Sequence, residues 1–161
     1  MRDQVRSALF SILGGLVGGS RFLDLFAGTG SVGIEALSRG ASFAVFVDAS
    51  REAVQIIERN LRELGLAPRA EILQDDVFRA LERLHRRGER FDLIFIGPPY
   101  GRDLAHKTLE HLGELSLLRD DAVAVTEVFK KEPLEDRYGP LELVDERTYG
   151  DNVLKFYRRR D

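Results

Sequence analysis

The chain of 161 residues contains no cysteine, which excludes disulfides and thiolate chemistry. A cytoplasmic protein is the default expectation for such a composition. The only histidines, His85, His106 and His111, are scattered. With no thiolate beside them, no structural metal site is expected. No apolar run approaches the roughly 18 residues that cross a membrane. Met1 to Arg6 lacks the apolar core of a secretion signal. There is no internal repeat, low-complexity stretch or inter-domain linker. Nor is there an excess of positive charge. The net charge is −3, unusual for a protein that grips naked nucleic acid. Lysine occurs only at 107, 130, 131 and 155. The basic residues gather at Arg83 to Arg90, at Lys130 and Lys131, and at Arg158 to Arg160. Each cluster by itself reads as a solvated surface.

What is present suits one folded domain. Hydrophobic residues make up 43% and charged residues 32%, enough for a core and a well-hydrated surface. The expected division is an N-terminal helix and glycine-rich loop over residues 1–19, then an α/β core over 20–161. Phe22 to Gly33 organises that core. Phe22, Leu23, Leu25 and Phe26 read as a buried strand with one acid, Asp24, among them. Ala27-Gly28-Thr29-Gly30 breaks the strand, and Val32, Ile34, Ala36 and Leu37 begin a helix. Strand, glycine turn and helix present backbone N–H groups and a helix N-terminus to a nucleotide-like ligand. Gly28, Gly30 and Gly33 fit G-x-G-x-x-G, a weak signal without that context.

Before this stretch, Val5, Leu9, Phe10 and Leu13 share one helix face, with Asp3 as the expected N-cap. After it, Ser42–Asp48 is too continuously apolar for a one-sided strand and predicts a parallel strand covered on both faces. Ser50 and Gly65 bracket a helix carrying Val54, Ile57 and Leu61. A strand over 69–74 leads to Asp75-Asp76 and a helix ending at Gly88. Phe91–Ile96 is a fourth strand, then a helix over 103–116, then a fifth strand over Ala122–Val128. Leu141–Arg147 and Asn152–Arg158 are joined by four residues, so they form an antiparallel hairpin. Five alternations and a hairpin predict a doubly wound, mostly parallel, Rossmann-like α/β sheet of seven strands. Ligands belong at the C-terminal ends of its strands.

Three strand ends carry acids. Asp48, followed by Ala49, lies about twenty residues beyond the glycine turn, where an acid accepts from ribose hydroxyls. It suits equally an acid favoured by a helix N-terminus. Asp76 can accept from an adenine amine, with the N–H of Val77 facing a ring nitrogen; Asp75 is its rival. Asp24 is costly in a buried strand unless paired. A ligand ammonium accounts for it, and the methionine part of S-adenosylmethionine carries one where NAD does not. The fourth strand end is Gly97-Pro98-Pro99-Tyr100. Its prolines fix the chain and leave the preceding carbonyls free as acceptors. Tyr100 offers a face to a planar base.

These residues resemble a known family. Asp24 to Gly30 is similar to the cofactor motif of class I S-adenosylmethionine-dependent methyltransferases. Gly97 to Tyr100 resembles their (Asp/Asn)-Pro-Pro-(Tyr/Phe) motif, which serves methylation of base amines. Val5 to Leu13, Phe91 to Ile96 and Tyr149-Gly150-Asp151 resemble the bacterial small-subunit (16S) ribosomal RNA guanine-N2 methyltransferases. The resemblance spans essentially the whole chain. It implies S-adenosyl-L-methionine as cofactor, with Asp24, Phe26, Ala27, Gly28, Thr29 and Gly30 around its methionine part. It implies ribose contacts at Asp48 and Ala49, and adenine contacts at Asp76 and Val77. Gly97, Pro98, Pro99 and Tyr100 would hold a flipped guanine. The implied partner is small-subunit ribosomal RNA or its ribonucleoprotein particle, met by a monomer without metal or membrane. Two departures stand out. Gly97 replaces the motif's Asp or Asn, which predicts a weakened site and faster transfer by Gly97→Asp. The family's N-terminal basic hairpin is missing, as if the chain were truncated. A cofactor- or RNA-binding module without chemistry, a DNA base-amine methyltransferase and an NAD-dependent oxidoreductase remain the competing readings.

Overall fold

The computed structural model describes residues 1–160. Strands β1 (Arg21–Leu25), β2 (Phe43–Asp48), β3 (Ala70–Gln74), β4 (Phe91–Ile96) and β5 (Leu118–Phe129) run parallel. Strands β6 (Arg137–Tyr138), β7 (Leu141–Tyr149) and β8 (Asn152–Arg159) complete the sheet by antiparallel pairing. The strand order is β3-β2-β1-β4-β5-β8-β7-β6. It reverses between β1 and β4, which opens a crevice at their C-terminal ends.

Helices cover both faces, as the continuous apolar strands require. On one face α1 (Asp3–Leu13), α2 (Ser31–Ser38) and α3 (Arg51–Glu63) bury Leu9, Phe10, Ala36 and Ile57 against Phe22, Phe46, Phe95 and Val125. On the other face α4 (Val77–Arg86) and α5 (Leu104–Glu114) bury Leu81, Leu84, Leu109 and Leu112 against Leu23, Val45, Ile94 and Ala124. Neighbouring residues along each strand thus point to opposite layers. Asp24 shares the parity of Phe22 and so points toward α2. No helix among the described residues is long and apolar enough to cross a membrane.

Four expectations need correction. Among the described residues the sheet has eight strands, not seven, because Gly139-Pro140 turns Arg137–Tyr138 back onto Leu141 and Glu142. Two residues are too few to show a period. Strand β5 begins at Leu118, not Ala122; Arg119, Asp120 and Asp121 are exposed, so no apolar pattern marks them. The β7–β8 connection is two residues, Gly150-Asp151, since Thr148 and Tyr149 pair with Val153 and Asn152. Finally, Arg2 holds the N-cap position of α1 and no side chain caps it. Asp3 sits inside the first turn, 3.2 Å from Arg6, where a negative charge still suits the helix dipole. Ser50 does cap α3, accepting from the Ala53 N–H at 3.2 Å.

Candidate active site

Chain reversal at the end of β1 is abrupt. Phe26 takes φ 60°, a left-handed conformation that costs a residue with a Cβ about 1–2 kcal/mol. The Ala27 N–H then donates to Val47 O at 2.9 Å, and the Gly97 N–H donates to Leu25 O at 3.2 Å. The ends of β2, β1 and β4 are thereby tied together. Gly28 and Gly30 both have positive φ, which makes glycine the fitting residue there. Gly33 has another reason. A Cβ at this position would lie 2.4 Å from Cε2 of Phe46, so its absence lets α2 approach the sheet.

Asp24 is 1% exposed. Its Oδ2 accepts from the Gly33 N–H at 3.0 Å. Desolvation pushes its carboxyl up to about 8, with Asp48 adding repulsion and the Gly33 bond opposing both. The acid is therefore mostly protonated at neutral pH unless a cation arrives. Asp48 holds the turn from the other side. Its Oδ2 accepts from the Gly28 N–H at 2.8 Å and its Oδ1 from the Ser50 N–H at 2.9 Å. Asp76, rather than Asp75, is the N-cap of α4, accepting from Phe78 and Arg79 N–H through Oδ1. Asp75 accepts from the Asp76 N–H and pairs with Arg83 at 3.1 Å. Of the two, Asp76 faces the crevice.

The crevice has two adjoining compartments that share Phe26, Gly97, Pro98 and Pro99. One, of about 360 Å³, is walled further by Asp24, Ala27, Gly28, Thr29 and Tyr100. The other, of about 560 Å³, is walled by Asp48, Ala49, Asp76 and Val77. The proline segment forms the partition. Every residue expected at the site lines one compartment or the other except Gly30, which is the N-cap of α2 and lines neither. Its role is to turn the chain into the helix.

Tyr100 is 43% exposed, with its ring 4.0 Å from that of Phe129 and its hydroxyl accepting from Asn152 Nδ2 at 3.0 Å. Burial of its hydroxyl and the nearby Glu127 push its phenol up. Phe95 and Glu127 also line the smaller compartment, and Arg102 the larger. Sequence reasoning missed all three. Phe95 and Glu127 sit inside apolar strands where only the strand parity reveals them, and Arg102 lies in a loop without pattern.

Phe95 changes what Gly97 means. A Cβ on residue 97 would stand 2.8 Å from Phe95 Cε2. The ring fills the place an acid would occupy. Gly97→Asp is therefore expected to destabilise by about 1–3 kcal/mol through overpacking, not simply to restore a motif. Thermal denaturation checks this. A cycle with Phe95→Leu should show coupling of about 0.5 kcal/mol or more. Strict additivity would mean that the ring and the new side chain do not meet.

This arrangement defines the class: a Rossmann-like methyltransferase fold, with an acid and glycine turn at β1 and a Pro-Pro-Tyr segment at β4. The chain belongs to the family described as conserved hypothetical protein 95, whose profile matches residues 1–158. YlbH of Bacillus subtilis is 35% identical over 98% of this chain and 86% of its own length. Ribosomal RNA small subunit methyltransferase D of Escherichia coli is 30% identical over 98% of this chain and 77% of its own. A solved structure from Streptococcus pyogenes, a conserved hypothetical protein, is 35% identical with a TM-score of 0.88. It covers 96% of this chain and is itself covered to 95%.

Proposed function

We propose that this protein is an S-adenosylmethionine-dependent methyltransferase acting on the exocyclic N2 amine of a guanine in small-subunit ribosomal RNA. The observation that carries this reading is the buried Asp24 opening into the compartment lined by Pro98, Pro99 and Tyr100. An acid buried there with no cation beside it among the described residues suits a ligand that brings its own ammonium, against which it ionises. The relatives named as ribosomal RNA small subunit methyltransferase D supply the substrate class. Arg102 at the larger compartment and Lys130 and Lys131 beside Phe129 offer cations to RNA phosphates despite the negative net charge. The chain works as one domain and a monomer, in the cytoplasm, on the RNA or its particle.

The residues fit such a cofactor in two halves. Asp24, with the backbone at Ala27, Gly28 and Thr29, would hold the amino-acid half. Asp48 and Ala49 would hold the ribose, and Asp76 and Val77 the adenine. Bound S-adenosylmethionine supplies an electrophilic methyl group on a sulfonium. The chain's task is then to place the amine in line with it, which is largely positioning. Pro98 and Pro99 fix the wall of the compartment. The carbonyls of Gly97 and Pro98 accept no hydrogen bond from the described residues and are available to the amine. Tyr100, backed by Phe129, offers its remaining face to the flipped base.

The test is incubation with methyl-labelled S-adenosylmethionine and small-subunit particles lacking base methylation, followed by nucleoside mass spectrometry. The expected product is N2-methylguanosine. Saturable cofactor binding with no label on any RNA would leave a binding module. No cofactor binding would end the methyltransferase reading altogether.

A further inference from the structure

Strand parity brings a second acid to the base compartment. Leu25 of β1, Ile96 of β4 and Thr126 of β5 lie side by side in register. One residue further, Phe26, Gly97 and Glu127 stand together at the crevice. Gly97 and Glu127 share the parity of Phe95 and Val125, which pack on the α1–α3 layer, the side to which Asp24 points. Glu127 is 7% exposed, yet it lines the same compartment as Asp24, Gly97 and Tyr100. Its Oε2 accepts from Asn152 Nδ2 at 3.2 Å, and that amide also donates to the Tyr100 hydroxyl at 3.0 Å. Asn152 thus joins the acid to the aromatic that faces the base. Asn152 is the side-chain partner of Glu127 among the described residues, and no cation is paired with it there. A buried carboxylate held by a single amide is costly unless a ligand brings further donors.

We propose that Glu127 is the base-reading acid of this site, accepting from N1–H and N2–H of guanine and so replacing the acceptor that Gly97 does not supply. The inference rests on the methyltransferase reading above. The Watson–Crick edge of guanine presents two adjacent donors, and a carboxylate presents two acceptor oxygens. Each oxygen has two lone pairs, so the Asn152 bond does not exhaust Oε2. Adenine offers a ring-nitrogen lone pair beside its amine, and cytosine does the same. Either would set a lone pair against the carboxylate, a repulsion that discriminates as effectively as the matching contact attracts. Phe95 sets the location, since its ring occupies the volume a side chain at 97 would need. Asp24 is turned to the Gly33 N–H.

The same contact serves the reaction. Hydrogen bonds to N1–H and N2–H push electron density onto the amine nitrogen, otherwise delocalised into the ring. As the nitrogen lone pair forms the N–C bond, the C–S bond breaks and its pair stays on sulfur. The displaced amine proton passes to Glu127 and from there to water at the cleft mouth. The products are N2-methylguanine, S-adenosylhomocysteine and one proton.

Glu127→Gln is nearly isosteric and keeps one acceptor while adding a donor. With unmethylated small-subunit particles and labelled S-adenosylmethionine, single-turnover transfer is expected to fall about 100-fold or more. The melting temperature should hold, because the glutamine keeps an amide oxygen for Asn152 Nδ2, and calorimetric cofactor affinity should fall far less than transfer, because Asp24 rather than Glu127 is the acid assigned to the cofactor. Mass spectrometry should show that the natural chain labels guanine alone. Transfer by Glu127→Gln at the natural rate would overturn the role of Glu127 and leave the methyltransferase reading intact. So would label on adenine or cytosine from the natural chain. A natural chain that labels no RNA would instead overturn the reading on which this inference rests.

Discussion

Asp24→Asn is expected to weaken S-adenosylmethionine binding by about 100-fold or more. Removing one partner of a buried charged pair costs about 3–5 kcal/mol, and each 1.4 kcal/mol is about tenfold in affinity. The substitution keeps the shape of Asp24 but offers no charge to an ammonium. The fold should survive, because the amide oxygen can still accept from the Gly33 N–H. The free protein should even gain stability at alkaline pH. The carboxyl is raised to about 8 in the folded chain, from an ordinary value of 3.8. Its proton is held in the folded state and lost in the unfolded one between those values. Stability tied to this group is thus complete below about pH 4 and lost as pH rises through about 8. The natural chain should show that loss and Asp24→Asn should not.

The same linkage predicts proton release on cofactor binding. Near pH 6.5 the acid is mostly protonated, so pairing it with an ammonium expels about one proton. Calorimetry in buffers of differing ionisation enthalpy reads this directly. Equal affinity for Asp24→Asn and the natural chain would remove Asp24 from the binding site. Loss of affinity without proton release would keep Asp24 in the site but show its carboxyl already ionised.

Gly33→Ala should destabilise the fold through packing rather than through backbone strain. Its new methyl would sit 2.4 Å from the ring of Phe46, which is fully buried beneath α2. Overpacking of this kind costs about 1–3 kcal/mol. Alanine's helical advantage over glycine, about 1 kcal/mol, offsets only part of it. At this chain length each kcal/mol lowers the melting temperature by about 2–4 °C. Displacing α2 also moves the Gly33 N–H, the backbone donor to Asp24, so cofactor affinity should fall as well. Gly28→Ala is the comparison. Its Cβ meets nothing within 4 Å, and only its φ of 59° is against it. An unchanged melting temperature for Gly33→Ala would mean that the Phe46 ring has room to turn aside.

The fold was legible wherever a local pattern continued long enough to show a period. Four-residue helical spacing marked Val5, Leu9 and Leu13, apolar runs marked β1 and β4 as strands, and the continuous run of β2 marked it as covered on both faces. Where the pattern was two residues long, as in β6, or polar, as at Arg119 to Asp121, nothing local announced a strand. Those segments are strands because a neighbour offers free backbone groups, which is a tertiary fact. At the site, glycine, proline and acid at successive strand ends pointed to a two-part ligand. The aromatic pair of Tyr100 and Phe129 joins positions 29 apart in the chain and could be found only after folding.

The amino-acid sequence by itself determined the order of the longer elements, the glycine turn after Asp24 and the Pro-Pro-Tyr segment, because each depends on residues adjacent in the chain. Only the tertiary structure decided how the three motif glycines divide their work. Gly28 and Gly30 turn the chain, while Gly33 makes room for Phe46. It alone decided that Asp76 rather than Asp75 faces the crevice. It also decided that Phe95 crowds a side chain at 97 while Glu127 reaches the same compartment. The reason is one of geometry. Parallel pairing sets residues from β1, β4 and β5 side by side, and the two-residue alternation of each strand selects which of them face the crevice.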